Sequence, residues 1–259
     1  MVGRVAGIDC GTNSVRLLIA DASGGADGLL VDVARRMEIV RLGQGVDRTG
    51  RLAPEALERT RVALAGYAEE IVEAGVDRVR MVATSATRDA ANAGDFHDMV
   101  VRTLGAPPEV VSGEEEARLS FVGATRTMLQ PSDGTIAVID VGGGSTEIAV
   151  GEPDGKMAWS ASFRIGSGFL ADSYLRSDPP SVDELEKVRT HVTGTFEGLE
   201  PPPAAEAVAV GGTATSLRRL LGAELSHETL ERGIRVLSST PIDEVAARFE
   251  LPSGAAVAA

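Results

Sequence analysis

Two segments of this chain repeat one spacing of chemistry-bearing residues: Asp9-Cys10-Gly11-Thr12-Asn13-Ser14 and, 131 positions later, Asp140-Val141-Gly142-Gly143-Gly144-Ser145. In both, Gly stands two residues after Asp and Ser five residues after it. Glycine lets a backbone enter conformations closed to other residues and approach a ligand closely. Successive N–H groups in such a turn make a concavity for anions, and a carboxylate beside it is placed to hold a divalent metal. Two copies facing each other would clamp a phosphate–metal unit between two lobes. Taken singly, either segment reads equally well as a glycine hairpin at a strand end. Asp9 and Asp140 are therefore the candidate metal ligands. Gly11, Thr12, Asn13, Ser14, Gly142, Gly143, Gly144, Ser145 and Thr146 are the candidate phosphate cradle.

The repeat extends to charge. Seven residues after each Asp stand Arg16 and Glu147, opposite in sign at equivalent positions. Glu147 falls two residues past Ser145, so on a strand it shares that residue's face. Arg16 is then a candidate for a phosphate oxygen and Glu147 for work on a water. A third glycine turn, Gly211-Gly212-Thr213, opens a helical pattern and either joins the phosphate contacts or only brings a helix close to a strand. Glu114, Glu115 and Glu116 open another helix, where the dipole favours carboxylates in any case. The three histidines, His97, His191 and His227, have no metal-ligand spacing and read as surface or packing residues.

Each Asp turn must be positioned by its flanks. "RVAGI" and "VRLLIA" enclose the first, "TIAVI" and "TEIAV" the second: strand, tight turn and strand, used twice. Residues 54–74 carry apolar side chains at helical spacing, with Pro54 suited to a first turn and Gly75 to a stop. "RVRMVAT" reads as a buried strand running into "SATRDA", and residues 41–50 read as a loop by their glycines. The strand–helix alternation predicts an α/β fold. The linker chemistry of "LQPSDG" places a boundary near residue 125, giving units 1–125 and 126–259.

The 259 residues carry 25 Lys and Arg against 38 Asp and Glu, a net charge of −13. That excludes a broad nucleic-acid surface, which needs cations to displace phosphate counterions. No apolar run approaches the ~20 residues that span a bilayer, so no membrane partner is expected. The amino terminus lacks a secretory pattern, and the single cysteine agrees with a reducing cytoplasm. Cys10 reads as a small residue packing beside the glycine turn.

"GIDCGTNSVRLLIAD", "VATSATRDAAN", "VVSGEEEARLSF", "VIDVGGGSTEIAVG" and "AVAVGGTATSL", in that order, resemble the exopolyphosphatase and guanosine pentaphosphate phosphohydrolase family of the actin, Hsp70 and sugar-kinase superfamily. The resemblance implies two actin-like, ribonuclease H-like lobes about a central cleft. It implies a Mg-dependent phosphohydrolase acting on short polyphosphate or on guanosine pentaphosphate, in the form of a homodimer. It assigns the catalytic base to Glu116, supports Glu147 beside it, and makes Arg88 a phosphate contact, where a guanidinium suits phosphate geometry. It puts Gly211-Gly212-Thr213 where nucleotide-using relatives place adenosine. Two departures stand out. Phe169 replaces an Arg carried by many members, and nothing matches the glycine-rich helix and final strands with which the family's second lobe continues, so that lobe is expected to be truncated. A regulatory phosphate- or nucleotide-binding module with weak hydrolysis is the alternative these departures favour.

Overall fold

The computed structural model describes residues 3–22, 30–128 and 134–251. They form two compact units, divided between Ser112 and Gly113. Most of the "LQPSDG" segment and the tail from residue 252 lie outside the described residues.

In the first unit β1 (Gly3–Cys10), β2 (Ser14–Ala22) and β3 (Leu30–Ile39) form an antiparallel meander. α1 (Val46–Thr49) and α2 (Pro54–Glu73) follow, then β4 (Arg78–Ala83), α3 (Ser85–Asp89), α4 (Ala93–Leu104) and the short β5 (Glu109–Val110). The sheet order is β3-β2-β1-β4-β5, with β4 parallel to β1. Strand alternation decides the core. Ala6, Ile8 and Cys10 of β1 and Val15, Leu17 and Ile19 of β2 are buried with Leu64 and Tyr67 of α2 and Phe96 and Val100 of α4. The Tyr67 hydroxyl donates to the Val15 carbonyl at 3.0 Å, and burial pushes its pKa up to about 12. Residues 41–50, expected as loop, contain the single helical turn α1, bracketed by Gly45 (φ 77°) and Gly50 (φ 67°).

The second unit begins with α5 (Gly113–Thr127), then β6 (Ile136–Val141), β7 (Thr146–Gly151), β8 (Met157–Phe163), α6 (Ser167–Tyr174) and α7 (Val182–Phe196). It continues with β9 (Glu206–Val210), α8 (Gly211–Leu221), α9 (His227–Ser239) and α10 (Ile242–Arg248). Its sheet order is β8-β7-β6-β9, with β9 parallel to β6. This is the first unit's arrangement again: three antiparallel strands and a parallel fourth beside the first. Even the irregularity recurs, since the register shifts at Ile19/Ala20 in β2 and at Val150/Gly151 in β7, equivalent positions of the repeat.

The unit boundary falls ahead of the 125/126 position read from sequence, and α5 is the reason. Its apolar side chains Ala117, Phe121 and Ala124 are buried against Ile136, Val138 and Ala149 of the second sheet. That burial groups α5 with the strands that follow it. α7 starts on a capping box in which Ser181 and Glu184 satisfy each other's backbone donors. The Ser177 hydroxyl and neighbouring backbone N–H groups hold the Glu184 carboxyl down at about 2.

Candidate functional site

Both Asp-Gly-Ser segments form the same hairpin turn. The Gly11 N–H donates to the Ser14 carbonyl at 3.0 Å, and the Gly142 N–H to the Ser145 carbonyl at 2.9 Å. Asp9 stands directly opposite Arg16 across β1 and β2, and Asp140 directly opposite Glu147 across β6 and β7. The equivalence of Arg16 and Glu147 read from spacing is thus a register equivalence.

Chemically the two pairs are opposites. Arg16 Nη1 lies 3.3 Å from Asp9 Oδ2, and both side chains are nearly half exposed. Such a pair contributes little to stability. Asp140 and Glu147 are instead two carboxylates on one face, a placement that repels unless something compensates it. The hydroxyl of Ser120 on α5 donates to Asp140 Oδ2 at 2.5 Å. That of Ser162, opposite Glu147 on β8, donates to Glu147 Oε1 at 2.7 Å. Glu147 is only 2% exposed. Alternation explains the row: Ile136 and Val138 pack under α5, and Asp140 is the next residue of β6 on that face. Glu116 is half-buried on the first turn of α5. It lies one turn before Ser120 and so shares its face.

Glycine sets how closely these parts approach. A Cβ on Gly113, at the start of α5, would stand 2.5 Å from Ser162 Oγ. Gly211 has φ 89°, and a Cβ there would stand 2.6 Å from Asp140 Oδ1. The third glycine turn therefore lays the start of α8 against the Asp140 carboxylate, and Thr213 shares a 3.1 Å hydrogen bond with Ser167. Gly212 is exposed.

Each turn is also clasped by the loop that follows its third strand. In the first unit, Val40 and Arg41 donate their N–H groups to the Asn13 carbonyl at 3.0 and 2.8 Å, and Gly43 donates to Thr12 at 2.8 Å. In the second, Ser167 donates to the Gly142 carbonyl and Phe169 to that of Gly143, both at 2.9 Å. A Cβ on Gly166 would fall 2.3 Å from the Gly143 carbonyl carbon and the Gly144 nitrogen. Backbone on both sides cannot yield. Gly166→Ala should therefore lose about 1–3 kcal/mol of stability or more, whereas Gly66→Ala, in α2 with open space around it, should gain up to ~1 kcal/mol. Thermal melts of the two variants check the contrast.

The "SATRDA" segment joins the first turn because β4 runs parallel to β1, and Ser85 Oγ lies 2.8 Å from Thr12 Oγ1. Arg88 in α3 donates from Nη1 to the Val111 carbonyl at 2.8 Å. Arg118 is bound through two nitrogens to Glu115, at 2.7 Å each. Cys10 is 1% exposed, and burial beside Asp9 pushes its thiol pKa well up, so it packs rather than reacts. The Phe169 ring lies 5.9 Å from that of His191, and Tyr174 is 5.4 Å from the same imidazole, which makes His191 a packing residue.

Among the described residues no three His, Cys, Asp or Glu side chains gather into a metal cage. Ser120, Ser162 and the clasping glycines escaped the sequence reading. Only the i, i+4 spacing of Glu116 and Ser120 hinted at one of them.

A duplicated α/β unit of the actin-like kind, carrying a glycine turn at the carboxyl end of parallel strands in each copy, defines a phosphate-handling protein class. Within that class, the chain belongs to the Ppx/GppA phosphatase family, whose model matches residues 18–237. It is 44% identical over 227 residues to exopolyphosphatase 2 of Mycobacterium tuberculosis, covering 84% of this chain and 70% of that protein. Among solved structures it is similar to an exopolyphosphatase-like protein at 36% identity and TM-score 0.86, covering 99% of this chain and 86% of the other. It is likewise similar to the Aquifex aeolicus Ppx/GppA family member at 31% identity and TM-score 0.78, with coverage of 99% and 86%.

Proposed function

We propose that the protein is a Mg-dependent phosphohydrolase that removes the terminal phosphate of short inorganic polyphosphate or the γ-phosphate of guanosine pentaphosphate. The observation that carries this reading is the like-charged pair Asp140 and Glu147, in register where the first unit has the neutralised pair Asp9 and Arg16. Adjacent carboxylates that the fold pins with two serine hydroxyls are suited to a cation. Asp140, with Asp9 from the first turn, would hold Mg, which when bound neutralises charge on the transferred phosphoryl. The turn N–H groups and Arg16 and Arg88 bind phosphate oxygens. Glu116, half-buried and on the face of α5 that reaches Asp140, orients the attacking water and takes its proton. Glu147, enclosed and bound by Ser162, supports that row. The phosphoryl group passes from the chain oxygen to the water oxygen, and the leaving oxyanion remains on the shortened substrate.

The alternative, a phosphate-binding regulatory module, draws on Phe169, whose ring packs toward His191 where many relatives are expected to carry a cation. The family resemblance supports a homodimer, and the single, buried Cys10 is compatible with a reducing, cytoplasmic setting. Among the described residues no helix is long and apolar enough to cross a membrane.

Charge sets the expected substrate length. Arg118 is engaged by Glu115 and Arg16 by Asp9, in a chain with a net charge of −13. A continuous basic track for a long polyanion is not built from these residues. Turnover should therefore favour tripolyphosphate or the nucleotide over chains of hundreds of units, with modest salt sensitivity. Rates measured across chain length and ionic strength check this. Processive degradation of very long chains, with binding that tightens as length grows, would contradict it.

A further inference from the structure

The two clasps share a sequence pattern, although their hydrogen bonds to the turns differ. Arg41-Leu42-Gly43-Gln44-Gly45 follows β3, and Arg164-Ile165-Gly166-Ser167-Gly168 follows β8. In each, the aliphatic residue is buried, Leu42 at 0% and Ile165 at 5%. The first glycine of each is pressed on its turn: a Cβ at Gly43 would stand 2.3 Å from Thr12 Cγ2, and one at Gly166 would meet Gly143. An arginine opens the pattern in both, two residues past the end of β3 in the first loop and directly after β8 in the second. We propose that Arg41 and Arg164 are phosphate-binding residues, one for each turn, a reading that rests on the phosphohydrolase function argued above.

Arg41 carries the stronger argument. Its N–H donates to the Asn13 carbonyl at 2.8 Å, so its backbone lies against the first turn. Its φ is 49°, a left-handed conformation that Gly or Asn adopts more cheaply than Arg. The loop is held in it by Arg59 of α2, which donates to the Val40 carbonyl at 2.8 Å, the Arg41 carbonyl at 3.4 Å and Gln44 Oε1 at 3.1 Å. Yet the half-buried Arg41 guanidinium makes no hydrogen bond or ion pair among the described residues. Folding alone is poorly served by this choice, because the residue costs conformational energy and its guanidinium returns no hydrogen bond or ion pair among the described residues. Strained residues that persist in this way cluster at ligand clamps, and a guanidinium offers paired N–H donors to a phosphate. Arg16 also pairs with Asp9 and Arg88 also donates to the Val111 carbonyl, so Arg41 adds a further cation to the phosphate contacts these two supply.

The test is calorimetric binding of tripolyphosphate, with hydrolysis followed separately. Arg41→Gly and Arg41→Asn should melt at or above the wild-type temperature, because both tolerate the left-handed backbone. Both should nevertheless bind tripolyphosphate about 10- to 100-fold more weakly, the worth of one charge-assisted hydrogen-bonded contact, with a shallower salt dependence. Arg41→Lys should recover part of the loss, and Arg164→Gln should weaken binding comparably. Arg41→Gly and Arg41→Asn binding within twofold of wild type at unchanged salt dependence would overturn the proposal, as would a wild type that binds no tripolyphosphate. Hydrolysis failing while these binding differences persist would instead refute the catalytic reading and leave the two arginines in place.

Discussion

Glu116→Gln is expected to abolish phosphate release while leaving the protein folded. Losing a positioned general base typically costs ~10²- to 10⁴-fold in rate. The stability cost should be small, because Glu116 is half-buried on the first turn of α5 and Gln keeps the side chain's size and hydrogen-bonding capacity, while the charge lost there is favoured by the helix dipole by about 0.3–1 kcal/mol. The buried anchors of the helix, Ala117 and Phe121, are untouched. Initial rates and melting temperatures of the two proteins check this. A variant within twofold of wild type would remove Glu116 from the mechanism.

Asp140→Ala and Asp9→Ala should each reduce turnover by ~10²-fold or more and raise the Mg concentration needed, because a catalytic metal supplies several kcal/mol of charge stabilisation. The two should differ in stability. Asp9→Ala breaks a partly exposed pair with Arg16, worth about 0–1 kcal/mol. Asp140→Ala strands the Ser120 hydroxyl and relieves the repulsion with Glu147, terms of opposite sign. Activity titrated against Mg for both variants is the measurement. If only one carboxylate matters, the metal is held from a single turn.

Much of this was legible in the sequence, for physical reasons. A strand–turn–strand unit leaves little freedom: the apolar alternation fixes which face is buried, and a tight turn fixes the register. The partners of Asp9 and Asp140 seven residues on, Arg16 and Glu147, were therefore readable from spacing. Spacing alone points Arg16 at substrate, whereas the register also pairs it with Asp9. The position of α5 was misleading for another reason. Linker chemistry near residue 129 marks a break in the chain, whereas the grouping of a helix is decided by what its apolar face meets, here Ile136, Val138 and Ala149. Gly43, Gly166 and Gly113 look like ordinary loop and helix-start glycines. Their need for glycine comes from Thr12, Gly143 and Ser162, residues distant in sequence. Ser120 and Ser162 were hidden likewise, since a serine becomes part of a site only through the carboxylate it meets.

The central claim is that a family fold bearing this carboxylate row hydrolyses a phosphoanhydride. Phosphate released from tripolyphosphate by the wild-type protein and by Glu116→Gln, with Mg and with the metal chelated, tests it most directly. The account predicts steady release by the wild type with Mg alone, and none above background in the other three conditions. Wild-type release that is absent with Mg, or equal with and without Glu116, would contradict it.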